Sequence, residues 1–362
     1  MTFESEILLR MRVIRKWLRV IGWHPDAARC TKIVGPIPCM SPGTTMNALM
    51  FREFGNADVL RWEDMPDPVA GPGQVLVRTR AVGLNFADVY RRNGTYHLAG
   101  EAPWIPGYEG AGDIVSDGGP FPAGTRVGFA DMPFANAELV AVDADKLIPL
   151  PDDISYDTAA AVLLQGLTAQ YLVTDSSQPK AGQVALVHAA AGGVGLLLVQ
   201  MLRAKGVRVI GIASSDEKRE AARKAGADVV LGYDHLVKRV HEATQGHGVD
   251  VAYDSVGRTL GESLAATRTG GTVVFYGMAA GDPDFVDPRT LMDRSLTLTG
   301  GDLWNVLTSA TIRRERAAAL FDQIRDGSLR PTIAASFPLY EGARAHAFLE
   351  SRHAIGKVVM VL

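Results

Sequence analysis

The stretch Val184-Ala185-Leu186-Val187-His188-Ala189-Ala190-Ala191-Gly192-Gly193-Val194-Gly195 passes from an unbroken apolar run into a turn built of small residues. An apolar helical pattern follows over Gly195–Lys205. A strand that is apolar on both faces belongs inside a parallel sheet, covered by helices above and below. Downstream the rhythm repeats. Strands are expected at Val207–Ser214, Asp228–Tyr233, Val249–Ser255, Gly271–Gly277 and Ser295–Gly300, with helices at Asp216–Ala225, His235–Thr244 and Leu260–Thr267. Strands alternating with short helices imply a doubly wound α/β sheet.

The turn departs from the strict G-x-G-x-x-G string, with alanine at the first glycine position. Its mechanics survive. A small residue makes the turn, Gly192 and Gly193 let the backbone approach a pyrophosphate, and Gly195 lets helix pack closely on strand. The helix N-terminus then offers unpaired N–H groups to phosphate. These are features of a dinucleotide-binding Rossmann domain. Cofactor choice is read at the tip of the second strand, about 20 residues on, where an NAD site usually carries a carboxylate. Here the strand ends Ala213-Ser214-Ser215. Ser214 and Ser215 are hydrogen-bond donors and Lys218 is a cation suited to a phosphate oxygen, which favours NADPH over NADH. Asp216 follows closely and reads as the N-cap of the next helix.

Upstream the texture is turn-rich and β-like. Strands are expected at Ala48–Phe51, Val59–Trp62, Gln74–Leu84, Gly112–Ser116, Arg126–Ala130 and Ala137–Ala141, with Pro66–Gly73 as punctuation. Two helical stretches follow, Asp157–Gly166 and Leu167–Thr174. After Gly301 come a charged helix over Thr311–Asp326 and a β end over Lys357–Leu362, expected to rejoin the first domain. The boundaries read as 46–165 for the β domain, 166–305 for the Rossmann domain and 306–362 for the return.

Residues 1–45 stand apart. They hold seven basic and three acidic side chains, a balance of +4, which leaves −7 on the remainder of a chain whose formal charge is −3. Ile7–Trp23 alternates Arg and Lys with apolar residues at helical spacing, as a membrane-surface helix or presequence does; the plainer reading is a loosely attached extension. The 362 residues suggest two domains at ~150 residues each. With 47% hydrophobic and 21% charged residues, disorder and collagen-like structure are excluded. No apolar run nears the ~20 residues of a membrane span. Both cysteines, Cys30 and Cys39, fall early, which excludes thiol catalysis and cysteine zinc sites beyond them and fits a reducing cytoplasm.

The runs Asn85-Phe86-Ala87-Asp88-Val89-Tyr90-Arg91-Arg92-Asn93-Gly94-Thr95-Tyr96 and Pro106-Gly107-Tyr108-Glu109-Gly110-Ala111-Gly112 resemble the quinone oxidoreductase (zeta-crystallin) branch of the medium-chain dehydrogenase/reductase superfamily. Gln165–Ala169, His188–Gly195, Tyr253–Gly257 and Arg344–Arg352 continue the likeness. The resemblance implies a GroES-like β domain beside the Rossmann domain, with NADPH in the cleft between them and a homodimer paired through the edge strand Ser295–Gly300. It implies that Asn85, Phe86, Asp88, Tyr90 and Tyr96 lie near the nicotinamide. It implies that Thr168, Tyr171, Gly193, Val194, Ser214, Ser215, Lys218, Tyr233, Ser255 and Arg352 lie at the cofactor. Met278 stands where the family often has a polar residue and receives no contact role.

Zinc-dependent members of the superfamily carry Cys where Asn85 falls and His where Tyr108 falls, so no metal is expected. Without a Lewis acid to polarise an alcohol, the acceptor should already be electrophilic, a quinone or an alkene conjugated to a carbonyl. Tyr90, Tyr96 or the amide of Asn85 is then a hydrogen-bond donor to the developing oxyanion, with a tyrosine or water as proton source. The expected activity is an NADPH-dependent, zinc-independent reductase of quinones or α,β-unsaturated carbonyls, by hydride or single-electron transfer. The competing readings are an enoyl-thioester reductase and a non-catalytic NADPH- or RNA-binding protein of crystallin type; the −7 body argues against nucleic acid.

Overall fold

The computed structural model describes residues 39–116 and 119–362. Strands β1 (Cys39–Met50) and β2 (Arg61–Val69) form an antiparallel pair. Strands β3 (Gln74–Leu84), β4 (Glu109–Ile114), β5 (Arg126–Ala130), β6 (Leu139–Asp143) and β7 (Ile148–Pro149) belong to a second sheet. The short helix α1 (Phe86–Arg92) follows β3, and the long helix α2 (Tyr156–Tyr171) crosses from this sheet to the next.

The third sheet holds β8 (Val184–Val187), β9 (Arg208–Ile212), β10 (Val229–Leu231), β11 (Val249–Asp254), β12 (Thr267–Phe275) and β13 (Thr297–Gly300). All six are parallel, in the order β10-β9-β8-β11-β12-β13. Between them run α3 (Gly193–Ala204), α4 (Asp216–Ala225), α5 (Leu236–Ala243), α6 (Leu260–Ala266) and α7 (Pro288–Arg294). Helix α8 (Ala310–Arg325), β14 (Ile333–Pro338), α9 (Gly342–Glu350) and β15 (Lys357–Val361) close the chain. The two last strands join the second sheet, whose order is β14-β15-β3-β4-β5-β7 with β6 also on β3. The core is contiguous across α2, whose Val162, Leu163 and Leu167 are buried with Val187, Leu198 and Val359.

Several local expectations need correcting. The opening strand begins at Cys39, not in the Met46 region, so part of the 1–45 segment is paired: Cys39 lies opposite Val69 and Thr45 opposite Pro66. The basic stretch Ile7–Trp23 and Cys30 lie outside the described residues. The prolines at 66 and 68 do not end β2, because it ladders only with β1 and its other edge asks no N–H of them. Val59 ends a 3-10 turn (Ala57–Val59) rather than opening a strand. The stretches 157–166 and 167–174 are one helix passing into a π-turn (Leu172–Ser176). Gly166 does not break it, because the missing side chain makes room for Leu320; a Cβ there would sit 2.8 Å from its Cδ2. Helices α1, α7 and α9 and strand β14 lacked a distinct periodic signal; three are seven to nine residues long and the strand six.

Gly195 seats α3 against the end of β8. A Cβ on it would overlap the Ala189 carbonyl oxygen and lie 2.9 Å from the Ala190 backbone, and backbone cannot step aside as a side chain can. Gly195→Ala is therefore expected to lower the thermal midpoint, at a cost of about 2 kcal/mol. Gly261→Ala, in open space on α6, should raise it slightly. Equal midpoints for the two would refute the close packing assigned to Gly195.

Candidate active site

In a doubly wound sheet, ligands bind beyond the carboxyl ends of the strands where the strand order reverses. Here that point lies between β8 and β11. A cleft of about 540 Å³ opens there, walled on the far side by α1 and the tail of the chain. Gly192, Gly193, Val194 and Gly195 line it at the start of α3, beside Thr168 and Tyr171 of α2. Ala189, just before the first glycine position at Ala190, holds the turn in the left-handed region at φ 47°, a glycine-like backbone despite its methyl group. Ser214, Lys218, Tyr233, Ser255 and Arg352 line the other end.

Ser215 does not line this cleft. Its Oγ accepts the Lys218 backbone N–H and caps α4, so the cap is Ser215 rather than Asp216, which pairs with Arg219 in the first turn. Lys218 reaches across to donate from Nζ to the Arg352 carbonyl at 2.6 Å. Burial, then the nearby Arg352 charge, pulls the Lys218 pKa down. Two cations thus crowd one end of the groove. Gly356 donates its N–H to the Ala191 carbonyl at 3.0 Å, fastening the tail of the chain to the glycine turn.

Asp254, which sequence reasoning passed over, holds the 255–259 loop in place. Its Oδ1 accepts the N–H groups of Val256 and Gly257, and its Oδ2 accepts the hydroxyls of Thr259 and Ser263. His188 lies under the turn with Nε2 on the Ser263 hydroxyl. A fully buried carboxylate at a strand end, followed by Ser-Val-Gly, was the available signal.

Beneath the middle of the cleft lies a buried polar cluster. Lys357 Nζ donates to Asn85 Oδ1 at 2.8 Å and to Glu109 Oε2 at 2.6 Å. Asn85 gives its amide hydrogens to Glu109 Oε2 and the Gly83 carbonyl, and its Oδ1 accepts from Gln165 as well. Glu109 Oε1 accepts the Leu164 N–H. Asn85 lines the cleft, yet both its N–H bonds are committed, so the expected amide donor to an oxyanion is not available there. Asp88 does not line the cleft; fully buried, it accepts the Asn85 backbone N–H and pairs with Arg91 at 3.3 Å. Burial raises its pKa above the usual carboxylate range.

The wide end is aromatic. Phe86, Tyr90, Tyr96, Tyr108 and Trp304 line it together with Arg91, Asp131 and Asp302. The Arg91 guanidinium lies 3.5 Å over the Tyr108 ring. The two candidate tyrosines differ in their partners. Tyr96 donates its O–H to Asp302 at 3.2 Å, whereas Tyr90 accepts the Met278 N–H at 3.3 Å and keeps its own proton for the cleft. Met278, given no contact role, therefore acts through its backbone. Burial raises both phenols, Tyr96 to about 12. Among the described residues, no three His, Cys, Asp or Glu side chains are grouped to hold a metal ion.

Comparison with known proteins gives a consistent picture. The family description of the alcohol dehydrogenase GroES-like domain matches residues 71–181, and that of the zinc-binding dehydrogenase matches residues 193–316. A quinone oxidoreductase of Pseudomonas aeruginosa is 39% identical over 324 residues, covering 86% of this chain and 98% of the relative. A 2-haloacrylate reductase of a Burkholderia species is 38% identical over 328 residues, with 87% and 98% covered. Among solved structures, a mycobacterial protein complexed with NADPH matches with a TM-score of 0.84 and 39% identity, over 88% of this chain and all of that one. The Escherichia coli quinone oxidoreductase complexed with NADPH matches at 0.83 and 34%, with the same coverage of this chain.

Removing one member of a buried ion pair strands the other away from water. Lys357 and Glu109 are 2% and 0% exposed. Lys357→Met should therefore cost about 3–5 kcal/mol in chemical denaturation, and adding Glu109→Gln should return a large part of that loss. A double variant as unstable as the single one would mean that packing, not charge, sets the cost.

Proposed function

This chain belongs to the quinone oxidoreductase branch of the medium-chain dehydrogenase/reductase superfamily, and we propose that it is an NADPH-dependent reductase of quinones and α,β-unsaturated carbonyl compounds. The observation that carries the cofactor is the Lys218–Arg352 pair beside Ser214, at a strand tip with no carboxylate. Two neighbouring cations, one of them held down by burial and by the other's charge, want an anion between them, and the 2′-phosphate that distinguishes NADPH from NADH is that anion. The glycine turn at the start of α3 suits the pyrophosphate, and the cleft's middle suits the nicotinamide. When bound, NADPH supplies the hydride.

The protein's own residues do the remaining work. Asn85, fixed by Glu109, Lys357 and Gln165, makes a rigid floor under the reacting ring. Tyr90 has a free O–H for a developing oxyanion, held by the Met278 amide. Tyr96 and Trp304 offer flat apolar faces on which a quinone can stack.

We further infer a homodimer. The outer edge of β13 has no partner strand among the described residues, and Phe285 and Met292, in the segment that leads into it, are 108% and 69% exposed. An open edge flanked by exposed apolar side chains invites a second copy. Phe285→Asp with Met292→Asp should shift sedimentation to a monomer; a wild-type chain that sediments as a monomer refutes the dimer. We assign the protein to the cytoplasm, consistent with its two early cysteines; subcellular fractionation tests that.

Oxidation of NADPH by 1,4-benzoquinone or 9,10-phenanthrenequinone should proceed undiminished in EDTA. Lys218→Ala should weaken NADPH by about 10- to 100-fold while leaving NADH nearly unchanged, as read by titration of cofactor fluorescence. Loss of turnover in EDTA would refute metal-free chemistry, and equal weakening of both nucleotides would remove Lys218 from the phosphate.

A further inference from the structure

We propose that Asp131 is the acid that protonates the α-carbon of activated alkenes in this cleft, making the chain a stereospecific alkene reductase as well as a quinone reductase. The inference rests on the NADPH-dependent reading above and adds a proton donor to it.

Asp131 lies on the turn after β5, its N–H on the Tyr108 carbonyl at 2.8 Å and its backbone left-handed at φ 70°. Aspartate enters that region more readily than most side chains. It lines the wide end of the cleft, and its side chain is only 6% exposed. Oδ1 is buried and has no hydrogen-bond partner. The charged groups around it reach Oδ2 alone and leave Oδ1 unsatisfied. Lys146, on the turn after β6, gives its ammonium to the Asp131 backbone carbonyl at 2.6 Å and stands 3.9 Å from Oδ2. Arg313 of α8 stands 3.5 Å from Oδ2 but hydrogen-bonds the carbonyls of Asp145 and Leu307. Arg91 is spent on Asp88 and the His97 carbonyl.

Across the same chamber, Asp302 is arranged in the opposite sense. Its Oδ2 accepts the Tyr96 hydroxyl and its Oδ1 accepts the Trp304 N–H, which suits a carboxylate. That charge opposes a second one on Asp131. Burial foremost, with Asp302 in support and the three cations opposing, moves Asp131 up to about 7. A buried carboxyl raised by its surroundings is how a site keeps an acid ready near neutral pH. The phenols are poor alternatives: the Tyr96 hydroxyl already donates its hydrogen bond to Asp302, and burial makes both phenols weaker acids still.

The proton matters for carbon and little for oxygen. A reduced quinone takes protons on oxygen, which water supplies at once. An alkene takes hydride on its β-carbon and needs a proton on its α-carbon, where transfer is slow without a positioned acid. For 2-chloroacrylate the balance is CH2=CCl–COO− + NADPH + H+ → CH3–CHCl–COO− + NADP+. The C=C π bond is reduced, the cofactor is oxidised, and the proton comes from the Asp131 carboxyl, which water reprotonates.

The test compares wild type and Asp131→Asn, since asparagine tolerates left-handed backbone. Acceptors are 1,4-benzoquinone, 2-chloroacrylate and 2-methylcyclopent-2-enone. Expected are a loss of about 100-fold in alkene kcat/KM with the quinone rate within a few-fold of wild type. The wild-type alkene rate should fall as pH rises through 7, a limb absent from the variant. Wild type should form one enantiomer at the α-carbon and the variant a mixture. In the cofactor-free proteins, the raised pKa means that ionised Asp131 destabilises the fold, so the variant should gain thermal stability over wild type as pH rises from 4 through 7 and level off above. A variant that keeps its alkene rate and a single enantiomer overturns the proposal, as does a wild type that reduces the quinone and leaves both alkenes untouched. Failure on all three acceptors, quinone included, instead overturns the underlying reductase reading and this proposal with it.

Discussion

Lys357 and Glu109 form an ion pair with almost no access to water, and much of the molecule is arranged around that fact. A charge so far from solvent needs its counter-charge and hydrogen bonds on its remaining positions. Glu109 comes from β4 and Lys357 from the start of β15, 248 residues later. Satisfying the pair draws in Asn85 at the mouth of α1, the Leu164 N–H within α2 and, through Asn85, Gln165. One buried interaction thus fastens the last strand of the second sheet to β4, to the end of β3 and to helix α2, where the chain rejoins its starting sheet.

That return builds the cleft as well as the core. Gly356 precedes Lys357 and bonds the Ala191 carbonyl, so the glycine turn is braced by the far end of the chain. Four residues earlier, Arg352 is left-handed at φ 61° and its carbonyl holds Lys218. Lys218 and Arg352, which the proposed function sets beside a phosphorylated ribose, are therefore 134 residues apart in sequence and joined in space. Neither contact survives alone if the tail is displaced. Cofactor affinity and the stability of the last strand are coupled through the same few residues, because ligand binding to the folded state stabilises whatever assembles its site.

The sheet that binds the dinucleotide was legible because its signals are local: apolar runs for β8 and β9, small residues at 189–195, and a charged amphipathic helix over 216–225. The cleft residues on those elements came with it. What escaped had partners distant in sequence. Nothing local announces that the Asn85 amide spends both hydrogens inward on Gly83 and Glu109, or that Ser215 caps a helix instead of facing the groove. Asp88 shares a motif with Asn85 but acts beneath it. Gly166 and the prolines of β2 misled for the converse reason: glycine and proline break elements on average, yet Leu320 and an open strand edge remove their cost at these places. The strand start at Cys39 lay within a segment whose charge marked it as separate.

The same distinction governs the wide end of the cleft, where residue type says little and the direction of each proton says much. Tyr90 and Tyr96 are chemically alike and face one chamber, yet a backbone amide donates to the oxygen of one and a carboxylate accepts the hydrogen bond of the other. Asp131 and Asp302 are likewise the same side chain with opposite duties, because one receives two hydrogen bonds and the other's cations are spent on backbone carbonyls. An enclosed aromatic chamber sharpens such differences, since unsatisfied charge is costlier there than in water. The left-handed turn at Asp131 leaves only Oδ2 within ion-pair reach of Lys146 and Arg313 and leaves Oδ1 with no partner, so the carboxyl can hold a proton that a fully paired carboxylate would not.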